Sequence, residues 1–288
     1  MTTEVDSTAL AVAVCRAVET SRSDGLIRDP FAAKLAEPGA GRFPSSWPAR
    51  PEDASPLDQP ALLAAVYIGL RTRFIDDVIA SSAASQCVIL GAGLDTRAYR
   101  LEWPVSATVF ELDTPATLAY KERELAGVGP RAKRCALGVD LRHSDWTGEL
   151  LGAGFDPEIS TVWVIEGLFP YLDAAAQSAV LRGVVDLSAV ESTVVIERAV
   201  PLTQGPDLDD KLEAFAAQTG MSIAEILART NPPDPAELLR VAGWIAGNTG
   251  VDELQRRYSR ILSLDPHATE PTGSAGRGGF VVAHFAAT

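Results

Sequence analysis

The sequence predicts an α/β protein with a mostly parallel β-sheet between helices. Three observations carry this. From about residue 86 onward, short apolar runs alternate with helix-like segments. The runs CVILGAG, ATVFELD, RCALGVDL, STVWVIEGLF and STVVIERA are nearly continuous in apolar residues, as strands covered on both faces are. Apolar residues make up 47% of 288, enough for the core of one large domain.

The elements follow in chain order. Residues Thr8 to Glu19 have the spacing of an amphipathic helix. Asp29-Pro30 is suited to start a short second helix. Residues Gly39 to Gln59 are rich in Pro, Gly and Ser and read as a loop. A long helix is expected from about Pro60 to Ala80. The strands then begin with CVILGAG and ATVFELD (Ala107 to Asp113). The next helix has Thr114 as cap and Pro115 in its first turn. Arg134 to Leu141, Ser160 to Phe169 and Ser192 to Ala199 are the third to fifth strands. Pro201 to Leu227 breaks the rhythm and reads as a helical insertion. The rhythm returns with PAELLRVAGWIAGNTG and closes with a strand in GGFVVAHFAA (Gly278 to Ala287).

Charge and composition narrow the function. The net charge is −13 and the pI about 4.7. A net anion repels phosphate backbones, so nucleic acid is not expected as a partner. Cys15, Cys87 and Cys135 form no close pair, and His143, His267 and His284 are scattered, so no disulfide framework and no metal site is expected. The opening MTTEVDST lacks a signal-peptide pattern, and no stretch of ~18 apolar residues exists to span a membrane. The simplest location is the cytoplasm.

Chemistry concentrates at strand ends. Gly91 and Gly93 let backbone approach a ligand closely, at the end of the first sheet strand. A pyrophosphate turn of the GxGxxG type wants glycine where Thr96 stands. Asp113 ends the second strand some twenty residues on, where an acid can accept from both ribose hydroxyls. Asp140 follows the third strand, placed for an adenine amino group, with Leu141 to pack on the ring. Glu166 follows the fourth, where a lone carboxylate would be costly. Turn and acid together indicate a nucleoside ligand without a pyrophosphate, and S-adenosylmethionine fits that description.

The motifs RTRFID (Arg71 to Asp76), VILGAGLDTRAYRL, FELDTP, VDLR and EGLFPYL stand in one order over roughly Thr8 to Arg198. With them the chain resembles the leucine carboxyl methyltransferase family, whose bacterial branch includes polyketide carboxyl methyltransferases. The resemblance implies a class I methyltransferase fold: a Rossmann-like, mostly parallel seven-stranded sheet, an N-terminal helical cap and a helical insertion after the fifth strand. It implies one methyltransferase domain over 1–288, with a cap and Pro-rich loop (1–60), a cofactor-binding core (60–200), a helical lid (201–230) and the rest of the sheet (231–288). The implied cofactor is S-adenosyl-L-methionine. Arg71, with Arg73 as alternative, would hold its methionine carboxylate, a pairing suited to a guanidinium. Gly91 and Gly93 would lie against it, Asp113 would take the ribose, Asp140 and Leu141 the adenine, and Glu166 the amino group. Arg16 is the candidate for a basic contact from the first helix.

The expected reaction is O-methylation of a small-molecule carboxylate or phenol, such as a polyketide's. A carboxylate needs no general base, so no catalytic residue is assigned; His143 and Tyr171 are the candidates. Asp95 and Arg97 are expected to brace the glycine loop. Phe43, Trp47, Phe215 and Met221 are candidates to line the acceptor pocket. The alternatives are a protein C-terminal carboxyl methyltransferase, a methyltransferase of tRNA, a non-catalytic binding protein, and an NAD-dependent oxidoreductase, the last disfavoured by Thr96 and the absence of a Tyr-x-x-x-Lys pair. The oligomeric state is not legible.

Overall fold

The computed structural model describes residues 7–37, 44–142, 145–198, 234–271 and 279–286. Phe43, His143, Phe215, Met221 and the expected lid 201–230 lie outside the described residues.

Seven strands form one sheet. They are β1 (Gln86–Leu90), β2 (Thr108–Asp113), β3 (Lys133–Gly138), β4 (Thr161–Ile165), β5 (Thr193–Arg198), β6 (Ile245–Thr249) and β7 (Gly279–His284). Their order is β3-β2-β1-β4-β5-β7-β6. The first five pair in parallel. β7 runs antiparallel to both its neighbours. The order reverses between β1 and β4, which makes the C-terminal ends of those strands the switch point where open α/β sheets place ligands.

Alternation along the strands sorts the core into two layers. Cys87 and Ile89 of β1 and Val162 and Val164 of β4 enter one apolar cluster with α1 (Ser7–Ser21) and α3 (Gln59–Ser81). Val88, Leu90, Trp163 and Ile165 enter the other, against α6 (Trp146–Gly152), α7 (Ala174–Asp186) and α8 (Pro235–Val241). Period-two side-chain direction produces this split. It also explains the continuous apolar runs, since both faces need cover.

The helices begin where their caps put them. Thr114 accepts from Thr117 N–H at the start of α5 (Pro115–Glu124). Asp145 and Asp173 cap α6 and α7 in the same way. The short α2 (Ala32–Leu35), α4 (Arg97–Arg100) and α9 (Val251–Arg257) complete the described α-helices.

Two expected strands are shorter than the sequence suggests. β4 stops at Ile165, and Phe169–Tyr171 form a short helical turn. β3 stops at Gly138 rather than Leu141. In each case the end of the apolar run belongs to the loop above the sheet. Val139 N–H still donates to Asp113 O, at 2.8 Å, just past the strand end. No described helix is long and apolar enough to cross a membrane.

Candidate cofactor site

Register alone assembles a row of residues at the C-terminal edge. Leu90 pairs with both Leu112 and Ile165, and Ile165 pairs with Ile196. The next residue of each strand or loop is therefore Asp113, Gly91, Glu166 or Glu197, side by side. Adjacent strands lie about 4.8 Å apart. Asp113 and Glu166 flank Gly91 over two such steps, roughly 10 Å.

Gly91 and Gly93 adopt φ of +70° and +47°. Such values favour glycine. A Cβ on Gly91 would come within 3.1 Å of Leu168, and one on Gly93 would meet Ala9 at 3.6 Å and Gly91 O at 4.0 Å. The turn is held by Leu112 O, which accepts from Gly91 N–H at 2.9 Å and Ala92 N–H at 3.0 Å. Asp113 closes it from the side. Its carboxylate accepts from Gly93 N–H at 2.7 Å and Thr114 N–H at 2.6 Å.

Arg71 projects from α3 toward this row and is buried. Its Nε lies 2.6 Å from Glu166 Oε1, and its Nη1 donates to Glu197 Oε2 at 2.9 Å. Nε makes no aligned hydrogen bond despite that close approach, so its contact with Glu166 is an ion pair. Arg73, the alternative, is on the exposed side of α3 and pairs with Asp77 at 2.9 Å. The structure thus brings only Arg71 of the two into the row.

Glu166 is shared by two guanidiniums. Arg97 Nη1 donates to its Oε2 at 2.6 Å. Burial pushes the Glu166 carboxyl up, but Arg71 and Arg97 outweigh it and hold it down at about 2. Arg97 is itself fully buried. It also bonds Asp76 at 2.7 Å and pairs with Asp95. Asp95 and Arg97 therefore brace the loop and, through Glu166, the row. Arg100 fastens the other side of Asp76, at 2.6 and 2.9 Å.

Arg16 reaches the turn from α1. It donates to Leu94 O at 2.6 Å and to Asp29 at 2.8 Å. Asp140 is half-buried after β3 and pairs with Arg142 at 2.9 Å. Leu141 beside it is buried. Tyr171 is 43% exposed in the turn after β4. The Trp47 ring lies under the Arg22 guanidinium, and the Trp47 backbone N–H donates to Ser21 Oγ. Ser21 is twelve residues from Ala9 along α1, or ~18 Å at 1.5 Å per residue. The Pro-rich loop is anchored there, at the end of α1 away from the glycine turn.

One member of the row, Glu197, and its partner Tyr67 on α3 were missed by sequence reasoning. Glu197 accepts from Tyr67 Oη at 2.5 Å, Arg71 Nη1 at 2.9 Å and Gly167 N–H at 2.8 Å. Tyr67 and Arg71 are four apart on α3 and so share a face. The signal was present: Glu197 follows the apolar run of the fifth strand as Glu166 follows that of the fourth.

The donor set suits an extended zwitterion joined to a ribose. A buried guanidinium, a carboxylate two strand spacings from a second carboxylate, and glycine backbone between them match its charged end, its ribose and its middle. Among the described residues, no group of three or more His, Cys, Asp and Glu is arranged to hold a metal ion.

The comparisons agree with this architecture. A seven-stranded sheet in this order, with β7 reversed, is the Rossmann-like class I methyltransferase fold. The chain aligns with a solved structure from Thermobifida fusca titled a "putative methyltransferase", at 16% identity and a TM-score of 0.53, covering 98% of this chain and 95% of the other. A DUF574 family protein from Streptomyces avermitilis aligns at 12% identity and a TM-score of 0.55, covering 88% and 96%. At these identities the likeness concerns the fold. Residues 9–185 match the model of the leucine carboxyl methyltransferase family. A protein of Saccharopolyspora erythraea described as a "Putative S-adenosyl-L-methionine-dependent methyltransferase" is 38% identical over 277 residues, covering 94% of this chain and 93% of its own. One of Mycobacteroides abscessus with the same description is 37% identical, covering 92% of each. The chain belongs to the leucine carboxyl methyltransferase family.

Proposed function

We propose that this protein transfers the methyl group of S-adenosylmethionine to a carboxylate oxygen of a small-molecule natural product, such as a polyketide acid. The methyltransferase class and the cofactor follow from the family. The carrying observation for the site is the row Asp113, Gly91, Glu166 with Arg71 behind it. In this reading Arg71 takes the cofactor's carboxylate, and Glu166 takes the amino group. Asp113 takes the ribose, Gly91 and Gly93 pass beneath, and Asp140 and Leu141 receive the adenine. Arg16 acts from behind, by fixing the turn through Leu94 O. The chain works as one domain, with residues 60–200 supplying this site and 231–288 completing the sheet.

When bound, the cofactor supplies a methyl group on a positively charged sulfur, open to in-line displacement. The protein's part is alignment and exclusion of water. The described row offers no ready proton acceptor. Glu166, held at about 2, has no affinity for a proton at neutral pH. Glu197 already accepts from three donor groups, Tyr67, Arg71 and Gly167 N–H. An acceptor that is ionised beforehand suits such a site, and a carboxylate is one. A phenol would need a base.

The test is transfer of labelled methyl groups from S-adenosylmethionine into small carboxylic acids, their phenolic analogues and peptides ending in leucine. Base-labile label in the small acids is the expected result. Label confined to the peptides would replace the small-molecule reading with protein carboxyl methylation.

A further inference from the structure

The ion pairs directly behind the row hold one more carboxylate than guanidinium, with the buried Lys121 at their margin, donating to Asp95 O at 3.0 Å. Three arginines, Arg71, Arg97 and Arg100, face four carboxylates, Glu166, Glu197, Asp95 and Asp76. The side chains of all seven are at most 12% exposed. Asp113, satisfied by backbone N–H groups, lies in the same row and adds to the excess. Glu197 is the carboxylate for which the cofactor reading finds no use. It touches neither Asp95 nor Asp76, and its partners are Arg71, Tyr67 and Gly167.

We propose that Glu197 is a specificity-determining residue that favours the sulfonium cofactor over the spent thioether. This rests on the cofactor-site reading above. A ligand carboxylate arriving at Arg71 must share that guanidinium with Glu166 and Glu197. The site then holds further negative charge at low exposure, where charges interact strongly. S-adenosylmethionine carries one net positive charge, because its sulfonium and ammonium outnumber its carboxylate. S-adenosylhomocysteine, the product, is a neutral zwitterion. The two ligands differ by one methyl and one charge, so a carboxylate near their common amino-acid end separates them. Product release benefits from the same term, since methyl transfer cancels the charge that the cluster attracts.

Calorimetry on the full chain tests this with three ligands. They are S-adenosylmethionine, S-adenosylhomocysteine and sinefungin, an analogue with an amine in place of the sulfonium. Glu197→Gln should weaken S-adenosylmethionine and sinefungin about five- to tenfold relative to S-adenosylhomocysteine. Equal loss for all three would make Glu197 a purely structural holder of Arg71 and overturn the proposal. If Glu197→Gln does not fold, Glu197→Asp keeps the charge and should keep the affinity ratio even where overall affinity falls; a collapsed ratio in that variant also overturns it. Tyr67→Phe removes a hydrogen bond but no charge and should leave the ratio intact. Arg71→Ala separates the two levels of the argument. It should weaken all three ligands, and unchanged binding there would refute the cofactor-site reading itself.

Discussion

Two glutamates are buried against arginines in this protein, and their carboxyls shift in opposite directions. Glu166 sits on the row at the strand ends, with Arg71 and Arg97 each at 2.6 Å. It is held down at about 2 although burial pushes it up. Glu19 sits at the far end of α1, with Arg260 at 3.3 Å and Arg22 at 3.6 Å. Burial pushes its carboxyl above the ordinary value, and the bond from Leu26 N–H and the two arginines do not offset it. Its Oε2 has no hydrogen-bond partner. Burial costs both; contact distance and hydrogen bonding decide which ion is stabilised. Glu19 joins α1 to the turn at Leu26 and to Gly69 of α3, where a Cβ would come within 2.8 Å of it. It is a packing device. Glu166 is kept ionised and aimed at the switch point.

The largest expected effect separates the two regions by ligand binding. Arg71→Ala should weaken S-adenosylmethionine roughly a hundredfold or more by calorimetry, since it removes a charged hydrogen-bonding edge. Arg73→Ala, on the same helix but exposed, should change it less than twofold. An equal effect of the two would mean that the row is not the binding site.

Next comes Glu166→Gln. The folded carboxyl titrates near 2 against an ordinary 4.5. Its contribution is therefore present above pH 4.5 and lost as pH falls toward 2. That contribution is on the order of 3 kcal/mol. Urea unfolding should show the variant less stable than the native protein at pH 7, with the gap narrowing between pH 4.5 and 3. A constant gap would contradict the assigned direction.

Asp113→Asn should weaken the cofactor about tenfold, as expected for losing a charged acceptor to two hydroxyls. It should weaken methylthioadenosine, which keeps the ribose but lacks the amino acid, by the same factor. Loss restricted to the full cofactor would place Asp113 at the wrong end.

The smallest effect belongs to Glu19→Gln. A carboxyl raised in the folded state stabilises fully below its ordinary value, and that stabilisation is lost as pH rises through the raised one. The variant should therefore gain on the native protein from pH 4 to 7, staying within about 1 kcal/mol of it at pH 7. Cofactor affinity should not change. A variant that fell further behind as pH rose would show that Arg22 and Arg260 compensate Glu19 better than their distances suggest.

Much of this was legible in the sequence, for identifiable reasons. Strands buried on both faces announce themselves as apolar runs, and their ends carry Gly91, Asp113 and Glu166 in full view. The resemblance to the family then supplied Arg71. Glu197 and Tyr67 were not read. They join the row only through the β4–β5 register and a helical turn of α3, which no local pattern displays. The sequence placed Arg97 as a brace of the glycine loop but did not show its bond to Glu166. Its reach to Glu166 spans 69 residues and exists only in the folded sheet. The Glu19 pair with Arg260 spans 241 residues and was invisible for the same reason.

The most direct test is a structure of the protein with S-adenosylhomocysteine bound. The account predicts the ligand's carboxylate within about 3 Å of Arg71, its amino group at Glu166 and its ribose hydroxyls at Asp113. A ligand whose amino-acid end lies away from Arg71 and whose ribose lies away from Asp113 would contradict it.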